Sequence, residues 1–270
     1  MTILIKLSLL SLLTGVIVLS VRFLIVPGIN QASLALKFDS KARGQLLGYV
    51  TSIPELVIVI SSAVSGVFDA GFWNIASSNI INWVLFLIAV FAFRQYRDLK
   101  NKAFIDEISF GLISVALPLI LYAFDLKGSA LLATCLLFVF FVYKALDRKF
   151  VQRASETKEV DEEVRSLFYA LSSIVVGAIL ITLSGWYLGG VAKSLVVELG
   201  VAAWMVGWIL GVVSSIPEMS GFFVTFQKHY KAGTLKSLDD TQETLDALVA
   251  SNMCNLGIIL PVGMFVALAV

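Results

Sequence analysis

Two stretches of this chain place a proline and a carboxylate side by side within apolar sequence: Thr51-Ser52-Ile53-Pro54-Glu55-Leu56 and Ser214-Ser215-Ile216-Pro217-Glu218-Met219. Each is followed by a second match, Ser77-Ser78-Asn79-Ile80-Ile81-Asn82 and Ala250-Ser251-Asn252-Met253-Cys254-Asn255, with the two spacings differing by ten residues. In a helix the Ser-x-x-x-Asn spacing puts Ser78 with Asn82, and Ser251 with Asn255, on one face. Glu55 and Glu218, the hydroxyls of Thr51, Ser52, Ser214 and Ser215, and these Ser and Asn side chains form a set of oxygen ligands. Hard cations such as calcium take six to eight oxygens, and two carboxylates neutralise one divalent charge; sodium uses the same oxygens in smaller sets. Covalent chemistry has no comparable candidates. The single histidine, His229, is expected to be a solvated loop residue beside Lys228, and no HExxH, GxSxG or phosphate-binding loop occurs. Cys135 and Cys254 lie in apolar runs without metal-ligand spacing and read as small hydrophobes.

The elements that carry these residues must be membrane helices. Of 270 residues 59% are hydrophobic and 14% charged, against about a quarter charged in a soluble chain. A bilayer core needs about 20 apolar residues per helical span. Runs near 7–29, 44–67, 71–93, 105–124, 129–146, 167–191, 202–226 and 242–268 supply eight. Open strands cannot satisfy their backbone in lipid, and the runs lack the alternation of a membrane barrel. An all-α, polytopic transmembrane bundle of about eight spans is predicted, with the first run retained rather than cleaved. The net charge of +1 leaves no basic excess for a nucleic acid.

Positive residues set the orientation. Sixteen of the 20 Lys and Arg fall in one set of alternate loops: Lys37, Lys41 and Arg43; Arg94, Arg97, Lys100 and Lys102; Lys144, Arg148, Lys149, Arg153, Lys158 and Arg165; Lys228, Lys231 and Lys236. Only Lys6, Lys127 and Lys193 lie opposite, and Arg22 is inside the first span. The N-terminus is expected outside and the hydrophilic segment 147–165 in the cytoplasm, as a connector between membrane halves 1–146 and 166–270. The first motif pair occupies about 44–93 and the second about 202–268, starting in spans two and seven. Five spans apart, they enter the membrane from opposite sides, an inverted repeat of the kind found in secondary transporters. Pro54 and Pro217 should break their helices and free carbonyls near Val50 and Val213. A charge at the centre of a membrane helix costs about 2.5–3.5 kcal/mol on insertion scales, so intramembrane acids point to function. Protonation or capping of helix ends would not explain why both recur at one motif position.

With these motifs in view, GYVTSIPELV followed by DAGFWNIASSNIIN resembles the first alpha-repeat of the cation/calcium exchanger superfamily, whose sodium/calcium exchangers carry GTSLPE…D…GN..GSN..N; GVVSSIPEM with ALVASNMCN resembles the second. The resemblance implies a midplane site where Glu55 and Glu218 bind calcium and share in sodium sites. Thr51, Ser52, Ser78, Asn82, Ser214, Ser215, Ser251 and Asn255 match positions that complete them. It further implies a secondary antiporter working by alternating access, with transported Ca2+ and Na+, no organic cofactor, and residence in the plasma (inner) membrane. Val50 and Val213 stand in place of the glycine before Thr-Ser. Ser214 stands for threonine, Ser77 and Ala250 for the glycine of GSN, and Ala247 for an asparagine. Members usually have ten spans, so two are unaccounted for here; a homo-oligomer is one way to supply their packing.

The runner-up within transporters is calcium/proton exchange, since that branch also uses a glutamate in each repeat; the Thr-Ser-x-Pro-Glu form and the Ser-x-x-x-Asn face favour sodium. Potassium-dependent members carry an aspartate near the second asparagine position, where Asn82 and Asn255 leave no acid. From other classes, an intramembrane hydrolase would pair the two acids against a peptide, and a channel would conduct without counter-transport. Asp69 is expected as a helix N-cap before the third span, and Asp246 as a cap or the partner of a loop lysine. Trp73, Trp83, Trp186, Trp204 and Trp208 are expected as interface anchors or packing residues.

Overall fold

The computed structural model describes residues 3–36, 38, 40–126, 128–149, 167–233, 235 and 238–270. The connector expected over 147–165 therefore lies, from 150 on, outside the described residues. Among the described residues eight stretches are long and apolar enough to cross a membrane: Ser8–Ala35, Lys41–Val64, Phe68–Ala92, Lys102–Ala123, Ala130–Asp147, Leu167–Glu198, Ala203–Lys231 and Asp240–Ala269. They follow the apolar runs of the sequence closely, because length and hydropathy are what a bilayer demands.

In chain order the helices are α1 (Ile3–Ser20), α2 (Val26–Ala35), α3 (Ser40–Thr51), α4 (Ile53–Val64), α5 (Phe68–Ala92), α6 (Ile105–Ala123), α7 (Ala130–Lys149), α8 (Leu167–Lys193), α9 (Ala203–Ser214), α10 (Ile216–Ala232), α11 (Asp239–Cys254) and α12 (Leu260–Ala269). A π-helical turn at Val21–Ile25 joins α1 to α2, and another at Asn255–Ile259 joins α11 to α12. Both prolines break their spans as expected. Each break is one residue wide: Ser52 at φ −82°, ψ 0° between α3 and α4, and Ser215 at φ −83°, ψ −6° between α9 and α10. Each proline sits in the first turn of the new helix, where its missing N–H removes nothing the helix needs.

The two repeats are thus α3-α4-α5 and α9-α10-α11. Gly66 (φ +75°) ends the α4 segment and Gly233 (φ +70°) ends α10, both in the left-handed conformation that a β-carbon disfavours. The second repeat lengthens α10 to 17 residues against 12 in α4. Close packing ties the repeats together. A β-carbon on Gly44 or Gly48 of α3 would run into the backbone oxygens of Glu243 and Ala247 on α11. One on Gly207 or Gly211 of α9 would meet Trp73 and Ser77 on α5. Each broken helix of one repeat therefore lies hard against the unbroken helix of the other.

Asp69 is not the N-cap of α5. Val67 holds that position and Asp69 lies inside the first turn, where its charge complements the helix N-terminus.

Candidate functional site

The helix breaks bring four chain ends to one place. α3 ends at Thr51 and α9 at Ser214, so both present the negative ends of their dipoles; α4 and α10 begin there and carry Glu55 and Glu218 in their first turns. All ten residues singled out from the sequence are buried to within 2% of full burial. The two carboxylates are close enough to interact. The Ser214 hydroxyl stands beside Glu55 and the Thr51 hydroxyl beside Glu218, each carboxylate facing the hydroxyl of the opposite repeat.

Hydrogen bonds knit the set across the repeats. Ser52 Oγ donates to Ser251 Oγ at 2.9 Å, and Ser251 Oγ to Glu218 Oε1 at 3.3 Å. Asn255 Nδ2 reaches Ser78 Oγ at 3.3 Å. Thr51 Oγ1 donates to Leu47 O at 3.0 Å on its own helix. Ser214 Oγ donates to Asn74 Oδ1 at 3.2 Å on α5. Ser215 is buried with its hydroxyl unpartnered.

The decisive feature is a set of acceptors without donors. Glu55 Oε1 and Oε2, Glu218 Oε2, Asn82 Oδ1 and Asn255 Oδ1 are all buried and have no hydrogen-bond partner. Buried polar groups are partnered in the large majority of cases, and an unpaired carboxylate is the costliest exception. Five acceptor oxygens, three of carboxylate and two of amide, on four buried side chains suit a cation that supplies the missing positive charge. Among the described residues no group of three or more His, Cys, Asp or Glu side chains is placed to hold a metal ion. The candidate set combines two carboxylates with neutral oxygens, the donor chemistry of hard cations.

Asn74, Asn79 and Asn252 were not in the set read from the sequence, yet all three are fully buried at its edge. Asn79 and Asn252 could have been found, since the Ser-Asn dipeptide occurs at the same place in both repeats. Asn74 does not recur, its counterpart being Ala247, but it stands at the first asparagine of the GN..GSN pattern, which could have marked it.

A second polar region lies where α3 and α11 start. Lys41 Nζ is 2.6 Å from Asp147 Oδ1 and 3.6 Å from Glu107 Oε1. Gln45 Nε2 donates to Asp147 Oδ2 at 2.9 Å, and Lys144 Nζ to Gln45 Oε1 at 2.7 Å. Asp246 is inside this region rather than a cap: Gln242 Nε2 donates to it at 2.7 Å, with the Lys41 charge nearby. His229 is also corrected. It is not a solvated loop residue but sits in the last turn of α10, 8% exposed, with Nε2 3.4 Å from Glu243, which Arg43 also approaches at 3.3 Å.

Of the tryptophans, Trp186 and Trp204 are half exposed, while Trp83 is partly buried and donates to Gly111 O at 3.2 Å. Cys135 and Cys254 are free thiols.

A family model described as sodium/calcium exchanger protein matches residues 6–146. A search of curated proteins finds no match. Among solved structures the chain is similar to the sodium-calcium exchanger NCX_Mj soaked with 2.5 mM Na+ and 0.1 mM Ca2+, with TM-score 0.58 and 20% identity over 99% of this chain and 83% of that one. The same exchanger soaked with 10 mM Na+ and zero Ca2+ gives 0.58 and 19%, and soaked with 100 mM Na+ and 10 mM Sr2+ gives 0.58 and 16%, at the same coverage. At such identities the likeness is one of fold.

Proposed function

The chain belongs to the sodium/calcium exchanger family of integral-membrane cation exchangers, and from that premise we propose that it exchanges sodium for calcium across a membrane by alternating access. The observation that carries this reading is the set of buried, donorless oxygens on Glu55, Glu218, Asn82 and Asn255. Glu55 and Glu218 hold calcium between them, and their combined charge matches one divalent ion. Thr51, Ser52, Ser78, Ser214, Ser215 and Ser251 complete the shell in smaller sets that suit sodium. The carbonyl ends of α3 and α9 add negative potential from both sides, the arrangement expected of discontinuous helices around a transported cation. No bond is made or broken, and no organic cofactor takes part.

The charge asymmetry of the loops supports an orientation with the N-terminus outside. α3 then starts from the cytoplasmic side and α9 from the external side. Sodium and calcium share the two carboxylates, so they cannot occupy the site together, and the inward sodium gradient drives calcium out.

The test is radiocalcium uptake into sealed proteoliposomes loaded with sodium and diluted into sodium-free medium, beside Glu55→Gln and Glu218→Gln. Each substitution keeps the shape of the side chain and removes half the fixed charge of the site. Uptake that needs the sodium gradient and disappears in both variants is expected. Uptake driven by a proton gradient alone would transfer the reading to calcium/proton exchange, and retained uptake in both variants would remove Glu55 and Glu218 from the mechanism.

A further inference from the structure

Two of the unpartnered oxygens belong to amides, and an amide has two faces. Asn82 and Asn255 can each present either a carbonyl oxygen, which a cation attracts, or an NH2 group, which it repels. What fixes the choice is a reciprocal pair of bonds between the repeats. Asn82 Nδ2 donates to Asn252 Oδ1 at 3.0 Å, and Asn255 Nδ2 donates to Asn79 Oδ1 at 3.0 Å. The two anchoring asparagines are themselves held by backbone. Asn252 Nδ2 donates to Asn79 O at 3.1 Å, and Asn79 Nδ2 to Asn252 O at 3.4 Å and to Ser114 O at 2.9 Å. The motif places Asn79 where Asn252 recurs and Asn82 where Asn255 recurs, so both repeats make the same bond to each other. In both, the oxygen left over is the one without a partner.

We propose that Asn79 and Asn252 are positioning residues of the ion site, each holding the amide nitrogen of the opposite repeat's asparagine so that Asn255 and Asn82 offer only carbonyl oxygen to the cation. The proposal rests on the exchange reading above. An Asn252 side chain held by backbone cannot turn to offer its own NH2 to Asn82 without losing its bond to Asn79 O, so the acceptor is fixed from behind. The bonds join α5 to α11, which makes the amide orientation a property of the two repeats together.

Asn252→Ala removes the one partner of the Asn82 amide and frees it to turn its NH2 toward the site. Asn82→Asp is the compensating change: with an oxygen on both positions, it has no wrong orientation to adopt. The experiment measures equilibrium radiocalcium binding, and KM against maximal rate of sodium-driven calcium uptake, for the full chain carrying Asn252→Ala, Asn82→Asp or both. Asn252→Ala alone should weaken calcium binding and raise KM about tenfold, the upper end of what one hydrogen bond contributes, with the maximal rate changing less. In the Asn82→Asp background the same Asn252→Ala change should cost no affinity. The twin pair Asn79→Ala and Asn255→Asp repeats the test from the other side, with a smaller rise in KM expected because Asn255 Nδ2 keeps its 3.3 Å bond to Ser78 Oγ, and serves where the first fails to fold. Equal loss in both backgrounds, or no loss in either, would overturn the positioning role while leaving calcium exchange standing. Absence of calcium binding in the unaltered protein would overturn the exchange reading and this proposal together.

Discussion

The two glycine-packed helix pairs have the same backbone and opposite linings. Gly44 and Gly48 of α3 lie against α11 as Gly207 and Gly211 of α9 lie against α5. The repeat places Lys41 where Trp204 recurs, Gln45 where Trp208 recurs, Ala70 where Glu243 recurs and Trp73 where Asp246 recurs. One end is closed by ion pairs among Lys41, Glu107, Asp147 and their neighbours on α3, α6, α7 and α11. The other is closed by rings: Trp73 and Tyr122 meet with centroids 4.6 Å apart, and Phe72 packs on both. Shared packing means that the frame of the site is set by close backbone approach. The differing linings mean that the closures answer to different conditions, since ionic partners can be replaced by water and ions while ring contacts are held by burial and the lipid interface.

Replacing the residues at equivalent positions of α3 and α9 breaks the comparison most strongly. Lys41→Met takes away the cation that Asp147 and Glu107 share, leaving buried carboxylates with Lys144 and Gln45 as the remaining donors to Asp147. Truncating one partner of a buried ion pair costs about 3–5 kcal/mol, and Lys144 should hold the loss to about 3 kcal/mol. Trp204→Met at the equivalent position removes a side chain already half exposed and should cost under about 1 kcal/mol. Thermal unfolding of the purified proteins in detergent compares the two directly. Similar losses would mean that Lys41 is no more structural than its counterpart.

The difference between the ends also marks what the sequence could and could not disclose. Spans were legible because a bilayer requires uninterrupted apolar length, and the breaks at Ser52 and Ser215 because proline allows little else. The burial of Glu55 and Glu218 followed from their place within apolar runs. Lys41, Glu107 and Asp147 gave no such sign. Each lies near the end of a different span, where a charge normally meets water, and only the packing of α3, α6 and α7 brings them together. His229 misled for the same reason: beside Lys228 it reads as solvated, but Glu243 lies 14 residues on across a turn and buries it. The Asn79–Asn252 contact is a pairing between helices 173 residues apart, and motif recurrence marks the residues without saying that they touch.

The shared frame can be tested with a methyl group on each side. In Gly48→Ala the new β-carbon meets Ala247 O and the Ser251 backbone nitrogen, atoms that cannot rotate away, so α3 and α11 must separate and lengthen the Ser52–Ser251 bond of 2.9 Å. In Gly211→Ala the nearest atom is the Ser77 hydroxyl, which can change rotamer at the cost of its 2.6 Å bond to Trp73 O, a side-chain movement in place of a separation of helices. Overpacking costs about 1–3 kcal/mol; Gly48→Ala should lie at the upper end of that range with a rise in KM for calcium, and Gly211→Ala at the lower end with less. Equal effects on melting temperature and KM would show that the two helix pairs are interchangeable after all.

The smallest effect is expected where the molecule already contains the variant. Asn74 accepts a hydrogen bond from Ser214 at 3.2 Å, but its own Nδ2 is buried without a partner. Asn74→Ala removes a stabilising bond and an unsatisfied donor together, and Ser214 keeps its 3.4 Å contact with Gly211 O. The second repeat carries Ala247 at this position, and Thr51, the counterpart of Ser214, bonds its own helix through Leu47 O and Gly48 O instead. Asn74→Ala should therefore change stability by less than about 1 kcal/mol and leave calcium uptake within about twofold of the unaltered protein, since about 0.4 kcal/mol separates rates by that factor. A loss of uptake well beyond that would give Asn74 a part in the ion path that its counterpart lacks, and would make the two halves of the site unequal in chemistry as well as in lining.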